Sequence, residues 1–264
     1  MATLDTIGRG AIYVFAYVGG LSRLAGRAAY YVFVAPFKGR PLRIGRAFHQ
    51  AMAVGVEALP IVSLITFFVG LILALNGAYE LRKFGALQYV ASAVAISMTR
   101  ELGPLMTAIV VIGRSGSAFA AEIGTMKVTE EIDALETMAL HPIQFLVTPK
   151  FLAMIIMMPC LTIWADFMGI CGGAVFGITN ADFTVTSYFK ATLDALLLRD
   201  ILTGLIKSVM FGITITAVGC YEGFSTGAGA EEVGRSTTSA VVMSIFLVVI
   251  VDVIFTALFY FTGN

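Results

Sequence analysis

The chain has 264 residues, of which 58% are hydrophobic and 13% are charged. This composition, with a mean hydropathy of +0.91, excludes an ordinary soluble domain, in which about a quarter of the residues are charged. Lys plus Arg and Asp plus Glu balance at 17 each, so no basic excess points to a nucleic-acid partner. We therefore expect an all-α integral membrane protein.

The N-terminal segment, residues 1–50, is predicted to lie in the membrane interface rather than to cross the membrane. Its apolar stretch, residues 10–35, is broken by Arg23 and Arg27 into runs too short to span a bilayer. The pattern predicts an interfacial helix with these arginines on its aqueous side and aromatic residues such as Phe15 and Tyr17 at the lipid boundary. Residues 51–264 are predicted to form the membrane-spanning domain.

Five segments of that domain are long and apolar enough to cross a hydrocarbon core, which requires about 20 residues. They are residues 58–79, 84–113, 151–179, 201–221 and 237–261. The first has no charged residue, and every later segment contains at least one. The charged residues within the spans are Arg100, Glu101, Asp166, Lys207 and Asp252.

The distribution of Lys and Arg between the connections predicts the orientation, because cytoplasmic loops are enriched in these residues. With the N-terminus inside, the cytoplasmic segments carry eleven and the outer loops four. The eleven are Arg9, Arg23, Arg27, Lys38, Arg40, Arg43, Arg46, Arg114, Lys127, Lys150 and Arg235, and the four are Arg82, Lys83, Lys190 and Arg199. This asymmetry predicts a cytoplasmic N-terminus, an outer C-terminus and a cytoplasmic connection over residues 114–150.

The charged residues within the spans favour two compatible interpretations. An ionisable residue near the middle of a bilayer costs at least a few kcal/mol, so it normally faces the bundle interior and finds a partner. Glu101, Lys207 and Asp252 are expected to form a neutralised network that joins spans two, four and five. Arg100, or part of that network, is also a candidate to line a cavity for an anionic head group, because guanidinium binds phosphate bidentately.

The connection between spans two and three is predicted to contain a short two-sided helix at about residues 125–141. Ile132 and Leu135 recur at helical spacing, and acidic residues occupy the other side. The helix either rests on the bundle as a solvated loop or inserts into a cytosolic ATPase as a coupling helix. For the second alternative the contact residues are Glu130, Glu131, Ile132, Asp133, Leu135 and Glu136.

Two further patterns concern packing and chemistry. Gly169, Gly173 and Gly177 recur every four residues in span three, which allows close helix approach within the subunit or across a dimer axis. The chain contains no nucleotide-binding Gly-Lys-Ser/Thr motif, no Gly-x-Ser-x-Gly elbow and no HExxH. We therefore expect it not to be an enzyme and to bind no cofactor or metal itself.

An ordered set of motifs resembles the MlaE (YrbE) permease family of ABC-type lipid transporters that work with MCE-domain proteins. The motifs are RELGP at 100–104, GRSGS at 113–117, AEIGTM at 121–126, IKSV at 206–209 and GRSTT at 234–238, with Asp252 in the last span. The resemblance covers the chain from about residue 48 to its end. It implies an interfacial N-terminal helix, five spans and a coupling helix after span two.

The resemblance also implies a function and a set of partners. It implies a permease that moves phospholipid between the bacterial inner membrane and a periplasmic MCE protein similar to MlaD. Arg100, Glu101, Lys207 and Asp252 would line the lipid pathway. The permease would act as a homodimer with a cytosolic MlaF-like ATPase, which binds ATP and Mg, and with a small STAS-domain protein similar to MlaB.

Two alternatives from other classes stay open at this point. An ion-coupled secondary transporter would use Glu101, Asp166 and Asp252 as a proton relay. The chain shows no internal repeat of the kind common in such carriers. A membrane scaffold without cargo would have no lipid in its cavity.

Overall fold

The structure is a computed structural model that describes residues 2–34, 44–180 and 184–262, and every regular element in these ranges is helical. The α-helices are α1 (Ala2–Ala29), α2 (Ile44–Gly55), α3 (Leu59–Lys83), α4 (Val90–Ser97), α5 (Gly103–Val111), α6 (Ser117–Val128), α7 (Glu131–Thr137), α8 (Thr148–Asn180), α9 (Val185–Ala195), α10 (Leu198–Phe224) and α11 (Ala230–Phe261). The expected all-α class is confirmed.

Five continuous helical stretches are long and apolar enough to cross a membrane, as the sequence predicts. They are Gly45–Lys83, Leu87–Val128, Ile143–Thr179, Leu198–Phe224 and Ala230–Phe261. Each extends beyond the apolar segment that identified it, because the helices continue past the hydrocarbon core. In the first stretch, the 3-10 turn Val56–Ala58 joins α2 to α3.

The second stretch contains two π-helical turns, Met98–Leu102 and Ile112–Gly116, which connect α4, α5 and α6. The first turn has a local cause, since Pro104 follows it and has no N–H to donate to the preceding turn. The N–H of Gly103 instead bonds the carbonyl of Met98, five residues back. Such wide turns inside helices occur frequently at functional sites.

The helix α8 lies at the centre of the bundle and packs against α2, α3, α5 and α10. Its glycines allow α3 to approach at backbone distance. A Cβ added to Gly70 would lie 1.9 Å from the carbonyl oxygen of Gly169, and one added to Gly172 would lie 1.9 Å from that of Phe67. Of the two roles expected for the glycine repeat, the structure therefore shows close packing within the subunit.

The remaining glycines of that repeat accommodate α9, the short helix between α8 and α10. Tyr188 of α9 is fully buried, and its ring lies against Gly173 and Gly177. Burial raises the pKa of the Tyr188 phenol to about 12, so the group stays neutral at physiological pH. This one aromatic side chain fixes α9 to the end of the bundle opposite α7.

The N-terminal helix α1 exposes Phe15, Arg23 and Arg27. Its position in the membrane interface stays a prediction. The expectation for Tyr17 is wrong, because this side chain is buried against the end of α10. Its hydroxyl donates to Oε1 of Glu222 at 2.7 Å. Among the residues that predicted the orientation, Lys38, Arg40 and Arg43 lie outside the described residues.

Replacing Gly70 tests the α3–α8 contact. Gly70→Ala should lower the thermal stability strongly, by about 2–3 kcal/mol, because the added methyl group meets a backbone carbonyl that cannot move away alone. Gly77→Ala in the same helix is the control, since nothing lies within 4 Å of its Cβ position. The control should be neutral or slightly stabilising. Equal melting temperatures for the two variants in detergent would contradict the assigned contact.

Candidate functional site: a charged cluster within the membrane

The centre of the site is Lys207, whose ammonium group contacts two carboxylates from two other spans. Its Nζ lies 2.5 Å from Oε2 of Glu101 and 2.9 Å from Oδ1 of Asp252. The same nitrogen donates to the hydroxyl of Thr256 at 2.7 Å. The structure thus brings together three of the four residues expected along the lipid pathway, in a network that joins spans two, four and five.

These side chains come to one depth because of where each lies in its helix. Lys207 follows the first residue of α10 by nine positions, and Asp252 precedes the last residue of α11 by nine. At 1.5 Å per residue, each is about 14 Å from the same end of the bundle. Thr256 lies one turn after Asp252 on the same face of α11, and its hydroxyl donates to Oε1 of Glu101 at 3.3 Å.

The three charged groups differ in how far they are buried. The side chain of Lys207 is 1% exposed and that of Asp252 11%, whereas that of Glu101 is 37% exposed. The network is therefore closed on the side of α10 and open at the subunit surface on the side of Glu101. A polar molecule or another protein subunit would meet Glu101 first.

Arg100, the fourth expected pathway residue, pairs with an acid that the sequence analysis did not identify. Its Nε lies 3.5 Å from Oδ1 of Asp200, and its side chain is 42% exposed. Asp200 is buried in the first turn of α10, where its Oδ2 accepts from the backbone N–H of Leu197 at 3.1 Å. The acid is thus fixed by its own helix, while the guanidinium stays half-exposed next to Glu101.

Asp166, which the secondary-transporter alternative places in a proton relay, lies apart from this network. Its side chain is buried in α8, and a Cβ added to Gly103 would lie 1.7 Å from its Oδ1. Among the described residues this oxygen has no hydrogen-bond partner. Within the described ranges, no hydrogen bond or ion pair links Asp166 to Glu101 or Asp252.

The predicted cytoplasmic helix exists as α7, Glu131–Thr137, and it is shorter than the predicted residues 125–141 because α6 continues to Val128. Ile132 and Leu135 are buried in a cluster with residues of α1, α8 and α10. All four acidic residues expected to contact an ATPase are exposed, namely Glu130, Glu131, Asp133 and Glu136. The two apolar residues therefore anchor α7 to the bundle, and the acidic residues lie on its accessible face.

Both ends of α7 are defined by residues in left-handed backbone conformation. Glu130 precedes the helix at φ 60°, and Ala139 follows it at φ 56°. After the helix, the N–H groups of Ala139 and Leu140 bond the carbonyls of Glu136 and Leu135, as in a Schellman motif. A non-glycine residue in this conformation is strained, so the surrounding packing determines where α7 begins and ends.

Two ion pairs fix the helices at the base of this loop. Lys150, fully buried at the start of α8, lies 2.5 Å from Oε2 of Glu122 in α6. Arg114, in the second π turn, pairs with Glu57 and donates to the backbone carbonyl of Ala53 at 2.7 Å. The first pair joins α6 to α8, the two helices that flank α7 in the chain. The second pair fixes the turn between α2 and α3.

Comparison with known proteins agrees with this architecture. The family model described as "Permease MlaE" matches residues 47–258. A "Probable ABC transporter permease protein RP096" of Rickettsia prowazekii is 43% identical over 220 residues, which is 83% of this chain and 85% of the relative. The "Intermembrane phospholipid transport system permease protein MlaE" of Haemophilus influenzae is 35% identical over 246 residues, or 91% and 94% of the two chains.

A plant relative shows how widely the sequence is distributed. "Protein TRIGALACTOSYLDIACYLGLYCEROL 1, chloroplastic" of Arabidopsis thaliana is 35% identical over 211 residues, which is 80% of this chain and 60% of the relative.

The spans, the charged cluster and the anchored loop helix define a multi-pass membrane permease of the ABC-transporter type. The chain belongs to the MlaE permease family.

Replacing Lys207 and Glu101 separately tests the network, because the two substitutions should lower the free energy of unfolding by different amounts. Lys207→Met leaves two carboxylates without their common cation and should lower the free energy of unfolding by about 3 kcal/mol. Glu101→Gln leaves the Lys207–Asp252 pair intact and should lower it by less than about 1 kcal/mol. Thermal unfolding of both purified variants checks this, and equal losses would show that Asp252 does not support the ammonium.

Replacing Ala139 tests the strained end of α7. Ala139→Gly should stabilise the helix by about 1 kcal/mol, because glycine adopts a positive φ without strain. Ala134→Gly, at an exposed position within α7, is the control and should destabilise the helix by a similar amount. Hydrogen exchange of the α7 amides measures both changes, and slower exchange is expected only for Ala139→Gly.

Proposed function

We propose that this chain is the permease subunit of an ABC-type transporter that moves phospholipid between the bacterial inner membrane and a periplasmic MCE protein. A separate cytosolic ATPase, which binds ATP and Mg, would supply the energy. The observation that carries the proposal is α7, a helix anchored through Ile132 and Leu135 whose exposed charged side chains are all acidic. Membership in the permease family supports the same division of labour.

The lipid pathway would include Arg100, Glu101, Lys207 and Asp252. An arginine that is 42% exposed at membrane depth would meet hydrocarbon unless a polar molecule or another subunit covers it. Its guanidinium suits the phosphate of a lipid head group, because it offers two parallel donors to two phosphate oxygens. The phospholipid transport named for the Haemophilus relative supports this ligand class.

The proposed assembly is a homodimer. On α11, the large apolar side chains Val242, Phe246, Val249 and Val253 are exposed at the subunit surface. The open side of the network, at Glu101 and Thr256, adjoins this helix. A second copy placed there would enclose the charged groups between two subunits and remove them from lipid contact.

Force would pass from the ATPase to the pathway through the base of the loop. Closure of the ATPase would push α7, and the Glu122–Lys150 pair would transmit the displacement to α6 and α8 together. The second stretch continues from α6 through both π turns to Glu101. Movement of this stretch would open or close the region next to Arg100 toward the outer side, where the MCE protein would accept the lipid.

The proposed topology places α7 and the N-terminus in the cytoplasm and the C-terminus in the periplasm. The distribution of Lys and Arg between the connections supports this orientation. The STAS-domain protein belongs to the same proposed assembly and would bind on the cytoplasmic side. The resemblance in the motifs at 100–104 and 113–117 supports these partners.

Charge reversal on α7 tests the ATPase contact. The double variant Glu131→Lys, Glu136→Lys should reduce co-purification of the co-expressed ATPase at least tenfold, because complementary charge becomes repulsive. ATP-dependent transfer of labelled phospholipid from proteoliposomes should fall with it. Glu80→Lys is the control, since Glu80 is exposed near the C-terminal end of α3, at the end of the bundle away from α7.

Three results would contradict the proposal. Unchanged co-purification of the double variant would remove α7 from the ATPase contact. Transport by the permease alone under a proton gradient would favour an ion-coupled carrier. Reconstituted permease and ATPase that transfer no phospholipid under any of these conditions would leave the scaffold interpretation.

A further inference from the structure

The charged cluster within the membrane contains more acids than bases. Five ionisable side chains lie there in two groups: Lys207 contacts the acids Glu101 and Asp252, and Arg100 contacts the acid Asp200. If all five were ionised, the cluster would carry a net charge of −1, from two positive and three negative groups. A net charge at membrane depth is costly, because no water is available to solvate it.

Among the described residues, no other basic side chain lies within 4.0 Å of the carboxyl groups of Glu101, Asp200 or Asp252. The helix α5 has no ionisable residue, and the ionisable residue of α8 nearest the cluster is Asp166, another acid, which lies against Gly103. The basic residue Arg199 in the first turn of α10 is exposed, about 12 Å along the helix from Lys207. Lys150 pairs with Glu122 at the far end of α8.

The geometry shows where the balancing proton would reside. Glu101 and Asp252 approach the same ammonium group at 2.5 and 2.9 Å, so two carboxyl groups share one cation. Asp200 is different, because it accepts a backbone N–H at the start of a helix, a setting that favours a carboxylate. With one proton shared by Glu101 and Asp252, Lys207 keeps one carboxylate as its partner and Arg100 keeps the carboxylate of Asp200.

We propose that the cluster binds one proton, shared by Glu101 and Asp252, and that this proton is linked to the binding of a phosphate group at Arg100. The linkage rests on the proposed function, in which a lipid head group reaches Arg100. The neutral, protonated cluster accepts an anion next to Arg100, whereas the deprotonated cluster repels it. By reciprocity, anion binding favours proton uptake, and the affinity for the anion falls as the pH rises.

The first experiment detects the proton without any lipid transport. Infrared spectra of the purified permease in phosphatidylcholine nanodiscs are recorded as the pH is raised, in an Asp166→Asn background that removes the buried carboxyl group described outside the cluster. A protonated-carboxyl band is expected, and it should disappear in Glu101→Gln and in Asp252→Asn. Each of these variants is neutral without a proton. Asp252→Glu should restore the band.

Two results of this experiment would overturn the proposal. Absence of the band in the background protein would show that no proton is shared, and persistence in either neutralised variant would place the proton elsewhere. The double variant Glu101→Gln, Asp252→Asn should be far less stable than either single variant, because Lys207 then has no counter-ion. Additive changes in melting temperature would also count against a shared site.

The second experiment measures the linkage with phosphatidylglycerol as the probe. Its affinity for the unmodified permease should fall by roughly tenfold across the pH range in which the carboxyl band disappears. The affinity should be independent of pH in Glu101→Gln and in Asp252→Asn, whereas the surface control Glu80→Gln should behave as the unmodified protein. A pH-independent affinity in the unmodified protein would refute the linkage.

Two further arms separate the possible failures. Inorganic phosphate added to phosphatidylcholine nanodiscs distinguishes a free anion from a lipid head group, and competition by phosphate alone would contradict a lipid-borne ligand. A carboxyl band with the expected variant behaviour, but no phosphatidylglycerol binding at any pH, would refute the linkage and the proposed function while leaving the proton site intact.

Discussion

The pairing of one buried ammonium group with acids from two other helices is the constraint on which the membrane domain depends. Lys207 is almost completely enclosed, so its charge is tolerated only where α10, α11 and the first π turn meet at one depth. This requirement fixes the rotation of three spans about their axes. It also places the half-exposed Arg100 and Glu101 at the surface where a ligand or a second subunit would arrive.

The rest of the bundle divides into parts held by different forces. Close approach of Gly70 to the backbone carbonyl of Gly169 makes α3 and α8 one unit, because no side chain lies between the two backbones. The loop end depends instead on ion pairs, such as Glu122 with Lys150, and on the apolar cluster beneath α7. A push on α7 therefore acts first on α6 and α8 rather than on the charged cluster.

Hydropathy was sufficient to predict the class, the five spans and the existence of α7, since each depends on a regular apolar pattern. The meeting of Glu101, Lys207 and Asp252 was predictable because charges within a membrane require partners. The Arg100–Asp200 pair was missed because Asp200 lies at a helix start, where an acid is ordinary. The burial of Tyr17 depends on a contact with Glu222, about two hundred residues away, which no local pattern contains.

The two π turns determine where the second span tolerates a change in length. Each accommodates an extra residue within a continuous helix, so deletion of one residue would convert that turn to ordinary α-helix. The residues beyond it would keep their rotation about the axis, because the wide turn is where the extra residue is taken up. A deletion in α5, the regular helix between the two turns, would instead rotate the residues beyond it by roughly 100°. Arg114 would then turn away from Ala53. A one-residue change in length is therefore tolerated best at the π turns, whereas α5 is restricted to substitutions.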